Sequence, residues 1–394
     1  MIKILHTSDW HIGRTFHKYE TLKEAKQVLK SLVDIVKQQS VNVVVISGDI
    51  FDTSSPKEEA FEVLKNAFNE ILSAGAQIVA ISGNHDSAQR LGFAGAFSSQ
   101  SGLHLITDVE RVGVPIEIKN GPVTVDFYGI PFIQPELWRH LSWMPNDASR
   151  QDVAIKAAMS QITESIEKRK SAHRKSVILS HTFIAGGEKE TDDSERAITK
   201  DPTVGGVDSV PAATFKGADY VALGHIHSQM ISKEFPKARY SGALMYFSFK
   251  EVGKGRGGWI VEFSEANEPK IDWVEFLVPR NIIELTGKFE DILINPKYDQ
   301  YKDYYIQAVY TDDKRVIEPM RQLKEKFPFT ANVIWLPENV AERSQDTHRK
   351  QLENKTDLQI IETFAKEVRN GEELSNEESA IVEPIMNEIN SGGY

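Results

Sequence analysis

Five short segments of this 394-residue chain carry acids, an amide and histidines. They read Asp9-Trp10-His11, the GDIFD stretch with Asp49 and Asp52, the GNHD stretch with Asn84, His85 and Asp86, then His181, and finally GHIH with His225 and His227. Together they supply seven ligands, enough to hold two metal ions side by side. Two divalent ions about 3.5–4 Å apart clamp the attacking and leaving oxygens of an in-line phosphoryl displacement and turn a bound water into hydroxide near neutral pH. The chemistry this set predicts is hydrolysis of a phosphate ester.

Each segment ends an apolar run that reads as a buried strand: Ile2 to Leu5, Val41 to Ile46, Ile78 to Ile81, Val177 to Leu179 and Tyr220 to Leu223. The ligands then fall on loops at the carboxyl ends of strands, where layered α/β folds place their functional crevice. Strand alternation lets Asp9 and His11 face one ion together, and likewise His225 and His227. Gly48, Gly83 and Gly224 precede ligand-bearing stretches, where a tight backbone turn is expected. Taken singly, Asp-x-His is a solvated turn, GNHD a turn of residues tolerant of positive φ, and His181 a core histidine. Their coincidence in order, each at a strand end, points to one metal site.

The strings around these residues, HTSDWHIG at 6–13, GDIFDTSSP at 48–56, SGNHDS at 82–87, ADYVALGHIH at 218–227 and YSGALMYFSFKE from Tyr240, resemble the calcineurin-like metallophosphoesterases. Within that superfamily they are most similar to the SbcD-type subunits of bacterial SbcCD nucleases, relatives of the double-strand-break repair nucleases. The likeness is strong over roughly residues 1–280 and looser beyond. It implies that Asp9, His11 and His227 hold one ion and Asn84, His181 and His225 the other, with Asp49 bridging. His85 is then the imidazole left over, a general acid or charge stabiliser at the leaving 3′ oxygen. Asp52 is similar to the family acid that orients this histidine. Asp86 either shares that role or closes the turn.

Four imidazoles, two carboxylates and an amide oxygen, with no thiolate, suit Mn²⁺ or a similar borderline ion, and the resemblance also favours two Mn²⁺ ions. Protein phosphatases of the superfamily read GDxVDRG, with an arginine for a doubly charged monoester. Here Thr53 and Ser54 follow Asp52, which moves the expectation toward a phosphodiester.

Composition bounds the rest. The chain is 40% hydrophobic and has no cysteine, so disulfides and zinc-thiolate sites are excluded and a reducing, cytoplasmic setting fits. No apolar run approaches a membrane span and no signal peptide fits the start. The net charge of −11 is awkward for a nucleic-acid binder. From Ala341 onward twelve acidic and six basic residues hold −6 of it. Weak DNA affinity and a partner that supplies grip are expected, with Arg14, His17, Lys18 and Arg90 as candidate phosphate contacts.

The expected fold is α/β: a two-sheet sandwich flanked by helices over residues 1–279, a small α/β capping domain over 280–340 and a C-terminal helical, partner-binding segment over 341–394. Thr21 with Glu24 reads as a capping box before a helix, Pro56 opens a second, and a third spans about Ser149 to Lys170. Strands are expected at Val123 to Ile130, Tyr240 to Met245 and Gly258 to Phe263. The polar stretch from Gly186 to Pro211 is expected to be a substrate-facing loop. Thr356 with Gln359 and Ser375 with Glu378 start two amphipathic helices that want a partner surface. By resemblance that partner is an SbcC-like coiled-coil ATPase, with a homodimer inside a heterotetramer and helices between Pro56 and Phe97 as dimer candidates. The implied activity is 3′–5′ exonuclease on double strands and endonuclease on hairpins or single strands. The alternative is a small-nucleotide or cyclic-nucleotide phosphodiesterase of the same superfamily.

Overall fold

The Val43–Ser47 strand, VVVIS, is buried along its whole length, as a β-branched run is when both faces of a parallel sheet are covered. Around it a computed structural model of the chain describes residues 1–93, 95–134, 140–145, 148, 150–184, 209–265, 268–337, 355–368 and 373–390. Two compact units result, Met1–Ile283 and Glu284–Tyr394.

The first unit holds two six-stranded sheets. In one, Ile2–Thr7, Val43–Ser47, Gln77–Ile81 and Leu103–Ile106 run parallel, and the antiparallel pair Gly257–Phe263 and Lys270–Glu275 extends the edge beside Ile2–Thr7. In the other, Val123–Ile130, Arg174–His181, Tyr220–Gly224 and Ala238–Tyr240 are parallel, flanked by Ile116–Asn120 and Met230–Ile231. Alternate side chains divide the layers. Ile4, Val43, Val45, Val79 and Ile81 meet Phe127, Leu179 and Ala222 between the sheets. Leu5, Val44, Ile46 and Ile78 pack with helices Leu22–Gln38 and Glu58–Ser73. Helix Gln151–Arg169 covers the second sheet through Ala154, Ile155, Ala158 and Ile162. The sandwich flanked by helices is therefore the fold of this unit.

Two local expectations are corrected. Thr21 does precede the first helix, but its hydroxyl makes no cap and instead donates to the Arg14 carbonyl at 2.5 Å. The strand expected over Tyr240 to Met245 ends at Tyr240, because Gly242 turns the chain at φ +78°. Beyond it the freed amides brace two ligand loops: Ala243 N donates to His227 O at 3.0 Å and Leu244 N to Asp9 O at 3.2 Å.

In the second unit, strands Tyr305–Tyr310 and Thr330–Trp335 pair in parallel, joined through helix Pro319–Lys326, which buries Leu323. Strand Ile282–Gly287 completes a three-stranded sheet. Helices Asp357–Val368 and Asn376–Asn390 follow. Here both expected capping boxes form. Thr356 N and Gln359 N exchange bonds with each other's side chains at 3.0 and 3.4 Å, and Ser375 and Glu378 do so at 2.9 and 3.3 Å. Nearly all of the stretch from Gly186 to Pro211 lies outside the described residues. Among the described residues no helix is long and apolar enough to cross a membrane.

Candidate metal centre

The parallel strands of both sheets end at one edge, and the loops that leave them carry the five segments. Strand Ile2–Thr7 stops two residues before Asp9. The chain then runs beside the loop after Val43–Ser47, with Asp9 N donating to Gly48 O and His11 N to Asp49 O, each at 3.0 Å. Asp9 and His11 do face the same centre, with Trp10 between them fully buried against Phe68. Strand alternation is not the cause. Asp9, His11, Asp49 and His225 sit at φ +50°, +42°, +49° and +101°, a region that costs a non-glycine residue on the order of 1 kcal/mol or more and that clusters at functional sites.

The glycines act mainly through size. A Cβ on Gly224 would stand 1.9 Å from Ser47 O, one on Gly83 2.1 Å from Asp49 Oδ1, and one on Gly48 2.4 Å from His181 Nδ1. Only Gly48 of the three also needs positive φ. The missing side chains of Gly48 and Gly224 let the ends of the two sheets close on each other, and that of Gly83 lets the Asp49 loop lie against its neighbour in the same sheet.

All seven expected ligands come together. His11 Nε2 lies 3.0 Å from His227 Nε2. His181 Nε2 lies 2.9 Å from Asn84 Oδ1, which is 3.2 Å from His225 Nδ1. Asp49 Oδ2 stands between the groups, 3.3 Å from His181 Nε2 and 3.6 Å from His11 Nε2. Asp9 with His11 and His227, and Asp9 with Asp49 and His181, each bring ligand atoms within 4.8 Å of one another. Donors about 2.0–2.2 Å from one ion and at right angles are about 3 Å apart, so these separations fit shared ions.

The electrostatics call for positive charge at the same place. His181 Nδ1 donates to Ser47 O at 2.8 Å, which turns its Nε2 toward two oxygens. Burial alone would lower the pKa of His181, but the Asp49 carboxylate raises it to about 10. Burial likewise opposes ionisation of Asp49, and His181 overcomes it, holding that carboxyl well below the usual range. Burial lifts Asp9 to about 7 against the pull of His181 and His227, and pushes His11 down to about 4. Asp49 Oδ2 is buried with no hydrogen bond. A cation among these groups satisfies oxygens and imidazole nitrogens that otherwise share a proton.

The two remaining residues are arranged differently from expectation. His85 Nδ1 donates to the main-chain carbonyl of Asp52 at 2.8 Å, and its Nε2 is buried without a hydrogen-bond partner. The Asp52 carboxylate does not hold that ring. Its Oδ1 faces His11 Nδ1 at 3.3 Å and Arg14 Nε at 3.8 Å, so the expected side-chain partnership is corrected to a backbone one. Asp86 closes the turn, accepting from Gly83 N, Phe51 N and Ile50 N at 2.9–3.1 Å. Of the candidate phosphate contacts, Arg90 is engaged with Ser54 O and Ser55 Oγ at 2.8 and 2.6 Å. Sequence reasoning missed Ser8, which donates to Asp9 Oδ2, and Glu251, beside His227. Both lie inside the quoted strings, but residue type alone gave them no role.

A family model described as calcineurin-like phosphoesterase matches residues 2–229, and a second, described as the Type 5 capsule protein repressor C-terminal domain (SbcD_C), matches residues 278–369. Similar solved structures include TT1561 of Thermus thermophilus, at 9% identity over 70% of this chain and 98% of that one with a TM-score of 0.40. A dimetal phosphatase from Danio rerio is 14% identical over 70% and 98%, with a TM-score of 0.42. GAP50, the anchor in the inner membrane complex of Plasmodium, is 10% identical over 86% and 98%, with a TM-score of 0.43. With more than half its length matched by the first model, the chain belongs to the calcineurin-like phosphoesterases, hydrolases of phosphoesters, and it carries an SbcD-type C-terminal domain.

Proposed function

We propose that this chain is the metal-dependent nuclease subunit of an SbcCD-like complex in the cytoplasm. It would hydrolyse DNA phosphodiesters as a 3′–5′ exonuclease on double strands and an endonuclease on hairpins or single strands, in repair, recombination and replication. The observation that carries the reading is His85, an imidazole left over beside a constellation of seven ligands, with Nε2 buried and unbonded and its ring centroid 4.7 Å from that of His11.

In this reading Asp9, His11 and His227 hold one divalent ion and Asn84, His181 and His225 the other, with Asp49 between. When bound, the ions, Mn²⁺ by preference, supply charge to the phosphoryl oxygens and ready a water for attack. His85 performs the proton work. Because Nδ1–H is committed to the Asp52 carbonyl, Nε2 is the nitrogen that gives a proton to the leaving 3′ oxygen. His85 N donates in turn to Asp49 Oδ1 at 2.9 Å, which ties the acid to the bridging carboxylate. Thr53 stands where monoester phosphatases of the superfamily place an arginine, which supports a singly charged diester as substrate.

The acidic balance of the chain supports a partner that contributes to DNA binding, an SbcC-like coiled-coil ATPase. End-labelled hairpin and linear DNA, with and without Mn²⁺ and the ATPase, test the proposal alongside a model diester. Cleavage that needs Mn²⁺ and disappears in His85→Ala with metal still bound is expected. Turnover of small nucleotides with no cutting of DNA would instead establish the small-nucleotide phosphodiesterase.

A further inference from the structure

Behind each of four imidazoles of the centre an oxygen faces the nitrogen turned away from it, hydrogen-bonded for His181 and His85 and at ion-pair distance for His11 and His227. Ser47 O serves His181 and Asp52 O serves His85, each at 2.8 Å, while Asp52 Oδ1 faces His11 at 3.3 Å. Behind His227 the oxygen belongs to Glu251, whose Oε1 lies 3.8 Å from His227 Nδ1. Glu251 is buried at 4% exposure and Arg256 at 3%. The two form an ion pair through Arg256 Nη2 and Glu251 Oε2, and Phe247 N donates to the same oxygen at 3.1 Å.

The pair grips one ligand at two points. Arg256 Nη1 donates to the His227 main-chain carbonyl at 2.6 Å, the same carbonyl that accepts from Ala243 N. The guanidinium lies over the Tyr246 ring at 4.4 Å, and Phe247, between these contacts in sequence, meets the rings of His11 and His227 edge-on at 5.5 and 5.8 Å. A buried ion pair is a weak source of stability, since desolvation offsets its attraction. One whose members face the ring and bond the carbonyl of a single histidine is better accounted for by placement of that histidine.

We propose that Glu251 and Arg256 are a positioning pair for His227: the Glu251 charge, at ion-pair distance, favours the proton on Nδ1, and Arg256 balances the carboxylate and fixes the loop carbonyl by a hydrogen bond. His227 Nε2 is thereby left to face the ion shared with Asp9 and His11. This inference rests on the two-metal reading and assigns one outer support to one of its two positions. Outer partners of this kind orient the ring and raise ligand basicity, and their loss typically lowers metal affinity about 10- to 100-fold.

The test is a calorimetric titration of the metal-free, full-length chain with Mn²⁺, joined to the visible absorption of the Co²⁺ form, for the wild type, Glu251→Gln and Arg256→Lys. The wild type should show two classes of site. Glu251→Gln should weaken one class about 10- to 100-fold and leave the other unchanged, with altered Co²⁺ bands for the weakened class only. Arg256→Lys, which keeps the charge, should lose less. If Glu251→Gln does not fold, Arg256→Lys is judged by the same criterion of one weakened class. Two unaltered classes with only a lower melting temperature would overturn the positioning role. A wild type that binds no pair of ions would overturn the metal reading beneath it.

Discussion

The Asp52 carboxylate faces His11, with Oδ1 3.3 Å from Nδ1, while the hydrogen bond to His85 comes from the Asp52 main-chain oxygen. One residue thus serves two histidines by different atoms. A substitution of its side chain should separate the two roles.

Asp52→Asn keeps the backbone carbonyl that holds His85 but removes the charge behind His11. Mn²⁺ affinity should fall about 10-fold or more, and saturating Mn²⁺ should restore most of the turnover on a model phosphodiester. Calorimetry and steady-state kinetics on the same preparation decide the matter. A fall in kcat with unchanged metal affinity would return Asp52 to the role of orienting His85 through its carboxylate.

Gly224→Ala tests the closeness of the two sheets. The added methyl would meet Ser47 O at 1.9 Å and His181 Nδ1 at 2.9 Å, and the first contact is backbone that cannot rotate away. Overpacking of this kind costs about 1–3 kcal/mol. Here it also pushes on the bond between Ser47 O and His181. Thermal unfolding should show a clear loss of stability and titration a loss of Mn²⁺ affinity. A melting temperature equal to the wild type would mean that the sheet ends have slack.

What the sequence reveals and what it conceals divides along the range of the interactions. The strands at Ile2–Thr7, Val43–Ser47, Gln77–Ile81, Arg174–His181 and Tyr220–Gly224 are legible because β-branched and apolar runs between turn residues need no distant information. The capping boxes at Thr356 and Ser375 form because their partners are three residues away. The same pattern at Thr21 fails because the Arg14 carbonyl captures the hydroxyl. The candidate ligands are legible by chemical type. The direction of the Asp52 carboxylate and the bracing of Asp9 and His227 by the stretch after Tyr240 are not, since each is decided by contacts between segments far apart in sequence.

The C-terminal helices supply a third prediction. Phe364, Ile381 and Ile385 are 64%, 64% and 51% exposed, large apolar side chains on two helices that lie against each other. Truncation near Glu353 should abolish co-purification with a coiled-coil ATPase and leave Mn²⁺-dependent cleavage of a model diester intact. Retained co-purification would place the partner surface elsewhere.

A fourth prediction concerns His6, which is fully buried between the sheets and takes no part in the proposed chemistry. Its Nε2–H donates to Leu223 O at 3.2 Å and its Nδ1 accepts from the Tyr220 hydroxyl at 2.9 Å, so the neutral ring is satisfied, and a second proton would place a charge in the dry space between the sheets. Burial pushes the pKa down to about 3, against the raising effect of the Leu223 carbonyl. In the unfolded chain the ordinary value is about 6.5. The stability this group contributes is therefore fully present above pH 6.5 and is lost as pH falls toward 3, because the unfolded state takes up a proton that the folded state refuses. At pH 5 the loss is about 2 kcal/mol. Denaturant titrations of the metal-free protein at pH 7.5 and pH 5 should show a larger drop for the wild type than for His6→Gln, by about that amount. The remaining titrating groups are common to both proteins and cancel in the comparison, so equal drops would mean that His6 accepts its second proton in the folded state.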